Sequence, residues 1–302
     1  MVSAEVATKK PLSPWSDVWR RLKRNRLAVV GLVIISVFLI VGSAETVANI
    51  AGVNLAPYEP NAVNYKLSPL GYGSSPSWSH PFGTDYLGRD IFSRALVATR
   101  ISLLVGIIAM AIALGIGLVL GPVSGYYGGV VDAVIMRLAD IFFSFPYILF
   151  VLLLVFVLGP GFVSVFIAIG LLNWATYARL VRGSVLSVKT MEYVEAARAQ
   201  GASDLRIIFR HVLPNTMAPV YVAAAMGIGG AIVTEAGLSF LGLGIQAPDA
   251  SWGKMIADYQ SYFLTGRWWM LTFPSLLLVI TVFGFISLGN GLRDATDPKL
   301  KE

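Results

Sequence analysis

Cysteine is absent from the 302 residues, which excludes disulfide cross-links, thiolate zinc sites and thiol nucleophiles. Histidine occurs only as His80 and His211, too few and too far apart in the chain for a shared metal site. Charge is scarce as well. Asp, Glu, Lys and Arg make up 13% of positions, against about a quarter in ordinary soluble domains. A chain so poor in charge cannot cover itself with an aqueous surface. No Gly-x-x-x-x-Gly-Lys-[Ser/Thr] string is present to cradle nucleotide phosphates, and no His-Glu-x-x-His set to build an intramembrane hydrolase. The polypeptide is therefore expected to be neither an ATPase by itself nor an enzyme of another kind, and to bind no cofactor or metal.

What is abundant is apolar: 56% of residues are hydrophobic and the mean hydropathy is +0.72. Six stretches are long enough to cross roughly 30 Å of hydrocarbon as helices of about 20 residues. They are Leu27–Ala44, Ile101–Gly121, Leu138–Leu158, Phe162–Tyr177, Met217–Leu243 and Trp269–Leu288. Helix is required because lipid offers backbone groups no partners. The expected fold class is an all-α membrane protein. Its parts are a polar lead (1–26), a first transmembrane helix (27–44), a polar outer loop (45–99), a core of five helices (100–290) and a tail (291–302). The lead is too long and polar to be the n-region of a cleavable signal.

Lys and Arg set the direction. Most of the 23 fall in the lead, in the loop after residue 178 and in the tail, including Lys9, Lys10, Lys299 and Lys301. These segments should face the cytosol, with both termini, in a multi-pass inner-membrane protein. The net charge of +6 thus reflects topology and contact with lipid, and no nucleic-acid partner is expected. Within the lead, Trp15, Val18, Trp19 and Leu22 recur at helical spacing beside basic residues, the pattern of a helix lying in the membrane interface.

Several features inside the bundle have structural readings. Gly117, Gly121, Gly125 and Gly129 are spaced for close helix packing. Pro146 and Pro274 should kink their spans. Arg137 and Asp140 should pair along one helix face, Arg293, Asp294 and Asp297 should support subunit contacts, and His80 reads as a loop residue. Glu235, an acid within a span, is a functional candidate by default. With Ser239 it is a candidate for lining a pore, the alternatives being a pair with a partner subunit or a water-filled crevice.

The most informative segment is the basic loop 179–215. Thr190 is placed to cap a helix with Glu192 and Glu195 in its first turn, and Gly201 to stop it in a left-handed conformation. Ser203 is placed to cap a second helix presenting Leu205, Ile208, Phe209 and Val212 on one face, ended by Pro214. Two short helices at an angle make a projecting knob suited to a partner's groove.

Glu195-Ala196-Ala197, then Gly201, then Leu213-Pro214 resembles the EAA loop of ABC importer permeases; His211 departs from the apolar residue usual there. The resemblance implies that Tyr193, Glu195, Ala196, Ala197, Gly201, Ala202, Leu213 and Pro214 form a coupling helix seated on an ATPase subunit. A second string, Gly83-Thr84-Asp85-Tyr86-Leu87-Gly88-Arg89-Asp90 with Arg94, resembles the C-type permease of dipeptide, oligopeptide and nickel ABC importers. Asp85, Arg89, Asp90 and Arg94 are placed for local ion pairs. Phe143-Ser144-Phe145-Pro146, Leu238-Ser239-Phe240, Ser251-Trp252-Gly253 and Arg293-Asp294 extend the likeness along the chain. The family implies a type I importer permease fold and a pore shared with a homologous B-type permease. It further implies two ATPase subunits holding ATP and Mg, and an extracytoplasmic binding protein docking at the outer loop. Peptide uptake is the function expected, with nickel or another small solute as the alternative. A secondary transporter would show inverted repeats, which are not evident.

Overall fold

The computed structural model describes residues 14–68 and 71–297. Lys9, Lys10, Lys299, Lys301 and the side chain of Trp15 lie outside the described residues. The elements are α1 (Pro14–Leu22), α2 (Arg26–Ile50), α3 (Ile91–Tyr127), α4 (Gly129–Phe143), α5 (Tyr147–Leu158), α6 (Phe162–Val188), α7 (Glu192–Ala199), α8 (Asp204–Arg206), α9 (Met217–Phe240), α10 (Trp252–Phe263) and α11 (Trp268–Thr296). Among the described residues, five helices are long and apolar enough to cross a membrane, and the bent pair α4–α5 makes up to six.

The third span is the main departure from expectation. It is not one kinked helix from Leu138 to Leu158 but two helices meeting at 88°. Pro146 lacks an N–H and disfavours helical geometry in Phe145; it ends one helix and caps the next, at φ −57 and ψ 121. Pro274, by contrast, sits inside an unbroken α11. The fourth span is also longer than its apolar run, continuing past Tyr177 to Val188. Arg179 and Arg182, assigned to a loop by charge alone, are helical because acids on α4 meet them. Arg182 grips Asp132 with two bonds of 2.6 Å and Arg179 takes Asp140 at 2.7 Å. Asp140 also keeps the expected pair with Arg137, at 4.0 Å through its other oxygen.

α3 and α6 pack along their length, and small residues allow it. Side chains at Gly117, Gly121 and Gly125 would collide with Tyr177, Ala178 and Val185 of α6. A side chain at Gly129 would meet nothing within 4 Å, and its positive φ serves the turn into α4 instead. α11 lies against α2 and α9. Val18 and Leu22 of α1 pack on Ala28, Leu288, Leu292 and Ala295, leaving Trp19 outward under the Lys23 ammonium. Within the chain, Asp294 accepts from Asn25, which caps α2. The described parts of the lead, the end of α11 and the α7 knob lie at one end of the bundle, the basic end.

Candidate functional site

The knob at the basic end is built around Val194. It is fully buried against Val181 and Val185 of α6 with Ile207, Val212 and Val220, and Ala197 and Ala202 pack on the same cluster. Its neighbours on α7 point away: Tyr193, Glu195 and Ala196 are exposed. Met191, not Thr190, holds the N-cap position, and no side chain caps the helix there. The C-terminus closes as a Schellman turn. Gly201 N–H donates to Arg198 O at 3.0 Å and Ala202 N–H to Ala197 O at 3.1 Å, with Gly201 at φ +78. Nothing lies within 4 Å of where a Cβ on Gly201 would stand, so the chain needs glycine here for its dihedral and leaves the space beside it open.

The second half of the knob is not a helix ended by Pro214. Ser203 has the extended N-cap conformation without a side-chain cap, and after α8 the chain enters a π-helical stretch, Ile207–Val212. A 3-10 turn, Leu213–Thr216, then leads directly into α9. Proline at the start of a turn forfeits no intrahelical bond, so Pro214 is accommodated. The wider π turn rotates the buried face. Ile207, Ile208 and Val212 are buried, whereas Leu205 and Phe209, expected beside them, are 63% and 45% exposed.

Three further contacts fasten the knob to the spans. Lys189 donates to Gly125 O at the end of α3 at 2.8 Å. The Tyr126 hydroxyl receives Arg198 at 3.3 Å and donates to Asp204 at 2.9 Å, joining both arms. Arg198 lies over the same ring, and its guanidinium is held in the charged form first by the Tyr126 hydrogen bond. These residues escaped sequence reading because their partners are remote; only the Tyr126-Tyr127 pair at the end of a span hinted at them.

The outer motif proves to be a staple. Thr84 and Asp90 pair as an antiparallel bridge. Asp85, fully buried, accepts from Leu87 N, Arg89 N and Arg89 Nε at 2.7–3.0 Å and from the Tyr259 hydroxyl of α10 at 3.0 Å. Burial first, then the nearby Asp85 charge, pushes the Tyr259 hydroxyl far above the ordinary tyrosine range. Of the ion pairs expected among the four charged residues, only Asp85–Arg89 forms. Asp90 caps α3 through Ser93 and pairs with His80 at 2.8 Å, so His80, a loop residue as expected, is also a buried partner. Arg94 is buried and donates to Pro60 O and Asn61 Oδ1. Gly83 and Gly88 make the turns, and any side chain at Gly88 would strike the Asn64 backbone. Thr84 O accepts from Trp269 Nε1 of α11 at 3.2 Å. α10 itself was missed, although a Ser251 cap followed by Trp252, Met255 and Tyr259 at helical spacing marks it.

Glu235 and Ser239 do not face open space. Glu235 is fully buried and Ser239 is 2% exposed. Glu235 Oε1 accepts from Ser239 at 2.7 Å and from Ser251 at 2.6 Å, closing the segment after α9 back onto the helix. Among the described residues no cluster of His, Asp or Glu is arranged to hold a metal.

Comparison with known proteins accords with this geometry. A family model described as a binding-protein-dependent transport system inner membrane component matches residues 113–302, and one for the N-terminal TM domain of oligopeptide transport permease C matches residues 13–69. The dipeptide transport system permease protein DppC of Bacillus subtilis is 44% identical over 98% of this chain and 89% of its own length. The oligopeptide transport system permease protein OppC of the same organism is 42% identical over 99% and 94%. A solved structure of the MetNI methionine ABC transporter in an inward-facing conformation shares the fold, with a TM-score of 0.52 at 20% identity, covering 68% of this chain and 97% of that one. A helical bundle with a projecting knob at its basic end and near-full-length likeness to importer permeases lead to one conclusion: the chain belongs to the binding-protein-dependent transport system inner-membrane components, as a multi-pass permease subunit of an ABC importer.

Proposed function

We propose that this permease imports di- or oligopeptides, forming one pore with a homologous B-type permease. Two cytosolic ATPase subunits, with their own ATP and Mg, supply the energy, and an extracytoplasmic binding protein delivers the cargo. The basic end then faces the cytosol, with both chain ends. The peptide cargo follows the two relatives named above, neither of which is named for nickel.

The observation that carries the coupling role is the two-sidedness of α7. Val194, Ala197 and Ala202 grip the spans, while Tyr193, Glu195, Ala196 and Gly201 are left outward for the ATPase subunit, with Leu213 and Pro214 joining the knob to α9. Nucleotide energy can bias a pore only through contacts that differ between its states. A knob continuous with α9 and tied to α3 and α6 transmits such a bias as a rigid lever. Because Thr84, Asp85, Asp90 and Arg94 are buried in the staple, docking of the binding protein falls to exposed outer residues such as Tyr65 and Trp78. The test is uptake of labelled dipeptide and oligopeptide by proteoliposomes holding the full complex. Uptake that requires ATP and the binding protein supports the proposal, and transport by this chain without an ATPase partner would refute it.

A further inference from the structure

The break between α4 and α5 has consequences beyond topology. Tyr147 opens α5, and its hydroxyl accepts from Asn173 Nδ2 at 2.9 Å. Asn173 stands on α6, fifteen residues before its last residue, Val188, and inside the apolar run Phe162–Tyr177 that crosses the membrane. Irregular backbone at membrane depth is tolerated only inside protein or beside a water-filled cavity. Here Ser144, Phe145 and Pro146 are exposed, and the break borders a cleft of about 340 Å³ lined by Phe143, Phe145, Tyr147, Asn173 and Thr176 among others.

The adjoining face of α6 is polar. Asn173, Thr176 and Arg179 follow at intervals of three and share one strip. Arg179 and Asp140 are 48% and 51% exposed in their side chains, and the Arg179 guanidinium stacks 4.3 Å from the Phe143 ring. Half-exposed charges beside an amide and a hydroxyl do not face hydrocarbon.

We propose that this cleft is a peptide-binding station on the translocation path. The Tyr147 and Thr176 hydroxyls and the Asn173 amide engage the backbone amides of the cargo. The Phe143 and Phe145 rings take its apolar side chains, and the free edge of Arg179 takes its carboxylate. The identification of the cargo as peptide rests on the function proposed above.

The absence of cysteine supplies the experiment. Thr176→Cys gives this chain a single thiol, as does Ile40→Cys on the outward apolar face of α2, where Ile40 is 69% exposed. The intact complex in nanodiscs is treated with a charged methanethiosulfonate, and modification of this chain is read by mass. Water at the cleft predicts labelling of Thr176→Cys at least about tenfold faster than Ile40→Cys, since thiolate forms only where solvated, and several-fold slowing by saturating tripeptide. A second variant, Asn173→Leu, should lower uptake roughly tenfold, the effect of losing a hydrogen bond to cargo, while the complex still assembles and hydrolyses ATP. Labelling as slow as Ile40→Cys, as when a partner permease covers the strip, overturns the proposal. So does fast labelling that peptide leaves unchanged. A wild-type complex that transports no peptide would instead refute the cargo, and the rate comparison without peptide would still decide whether the cleft is wet.

Discussion

Ser251 donates a 2.6 Å hydrogen bond to Glu235, sixteen residues earlier in the chain. The bond joins the cap of α10 to the interior of α9, for Ser251 also accepts from Lys254 N–H at the start of α10. Ser239 shares the same carboxyl oxygen and accepts in turn from Ile245 N–H. One acid thus sets the path of the whole segment between the two helices.

Glu235→Ala leaves both serine hydroxyls without their acceptor and opens a cavity, at a cost of about 2–4 kcal/mol. Glu235→Gln keeps an acceptor oxygen and should cost less. Thermal unfolding of the purified complex measures both; equal midpoints for wild type and Glu235→Ala would show that the segment is held by other contacts.

Gly201→Asp should abolish ATP-driven uptake while the complex still reaches the membrane, because the open space beside Gly201 is where a partner would sit. Gly201→Asn separates docking from strain. Asn visits the left-handed conformation more readily than most residues, at a cost within about 1–2 kcal/mol, so its fold is kept. Loss of uptake in Gly201→Asn with normal thermal stability places the defect at the partner surface. Normal uptake in Gly201→Asp would remove the coupling role from this turn.

Tyr126→Phe deletes the hydroxyl that joins Arg198 to Asp204, a loss of about 1 kcal/mol in the fastening of the knob. Hydrogen exchange should accelerate in residues 192–206 and hardly change in α11. Uptake per ATP hydrolysed should fall, since a looser lever transmits less. Unaltered exchange would mean that Val194 and Lys189 hold the knob without help.

Tyr259→Phe removes one of the four hydrogen bonds to Asp85 and should destabilise the outer staple by about 1–2 kcal/mol. The folded state holds the Tyr259 hydroxyl neutral, its titration raised above the unfolded value of about 10. The advantage of Tyr over Phe is therefore full below that pH and shrinks as the pH rises toward the folded value. Stability differences measured between pH 7 and 11 check this. A constant difference across that range would mean that Tyr259 titrates no differently in the folded protein.

How much was legible in advance differs by element. α2, α9 and α11 were marked by apolar runs, and α7 by acids near its start and a glycine at its end. The added lengths of α3 and α6 were not, since Arg94, Arg179 and Arg182 read as loop charges until their partners are known. The knob's second arm was misread because sequence periodicity presumes 3.6 residues per turn, and a π stretch does not obey it.

Hydropathy, basic-residue placement and local glycine and proline chemistry act within a few turns of chain. They determined by themselves that this protein is a helical membrane bundle with a projecting knob at its basic end. Tertiary structure alone decided which charges are buried and what they hold: Asp85 with Tyr259, Asp90 with His80, Glu235 with Ser251. Such pairs form only when distant segments meet in a setting too dry to leave a charge alone, a condition that no local pattern encodes.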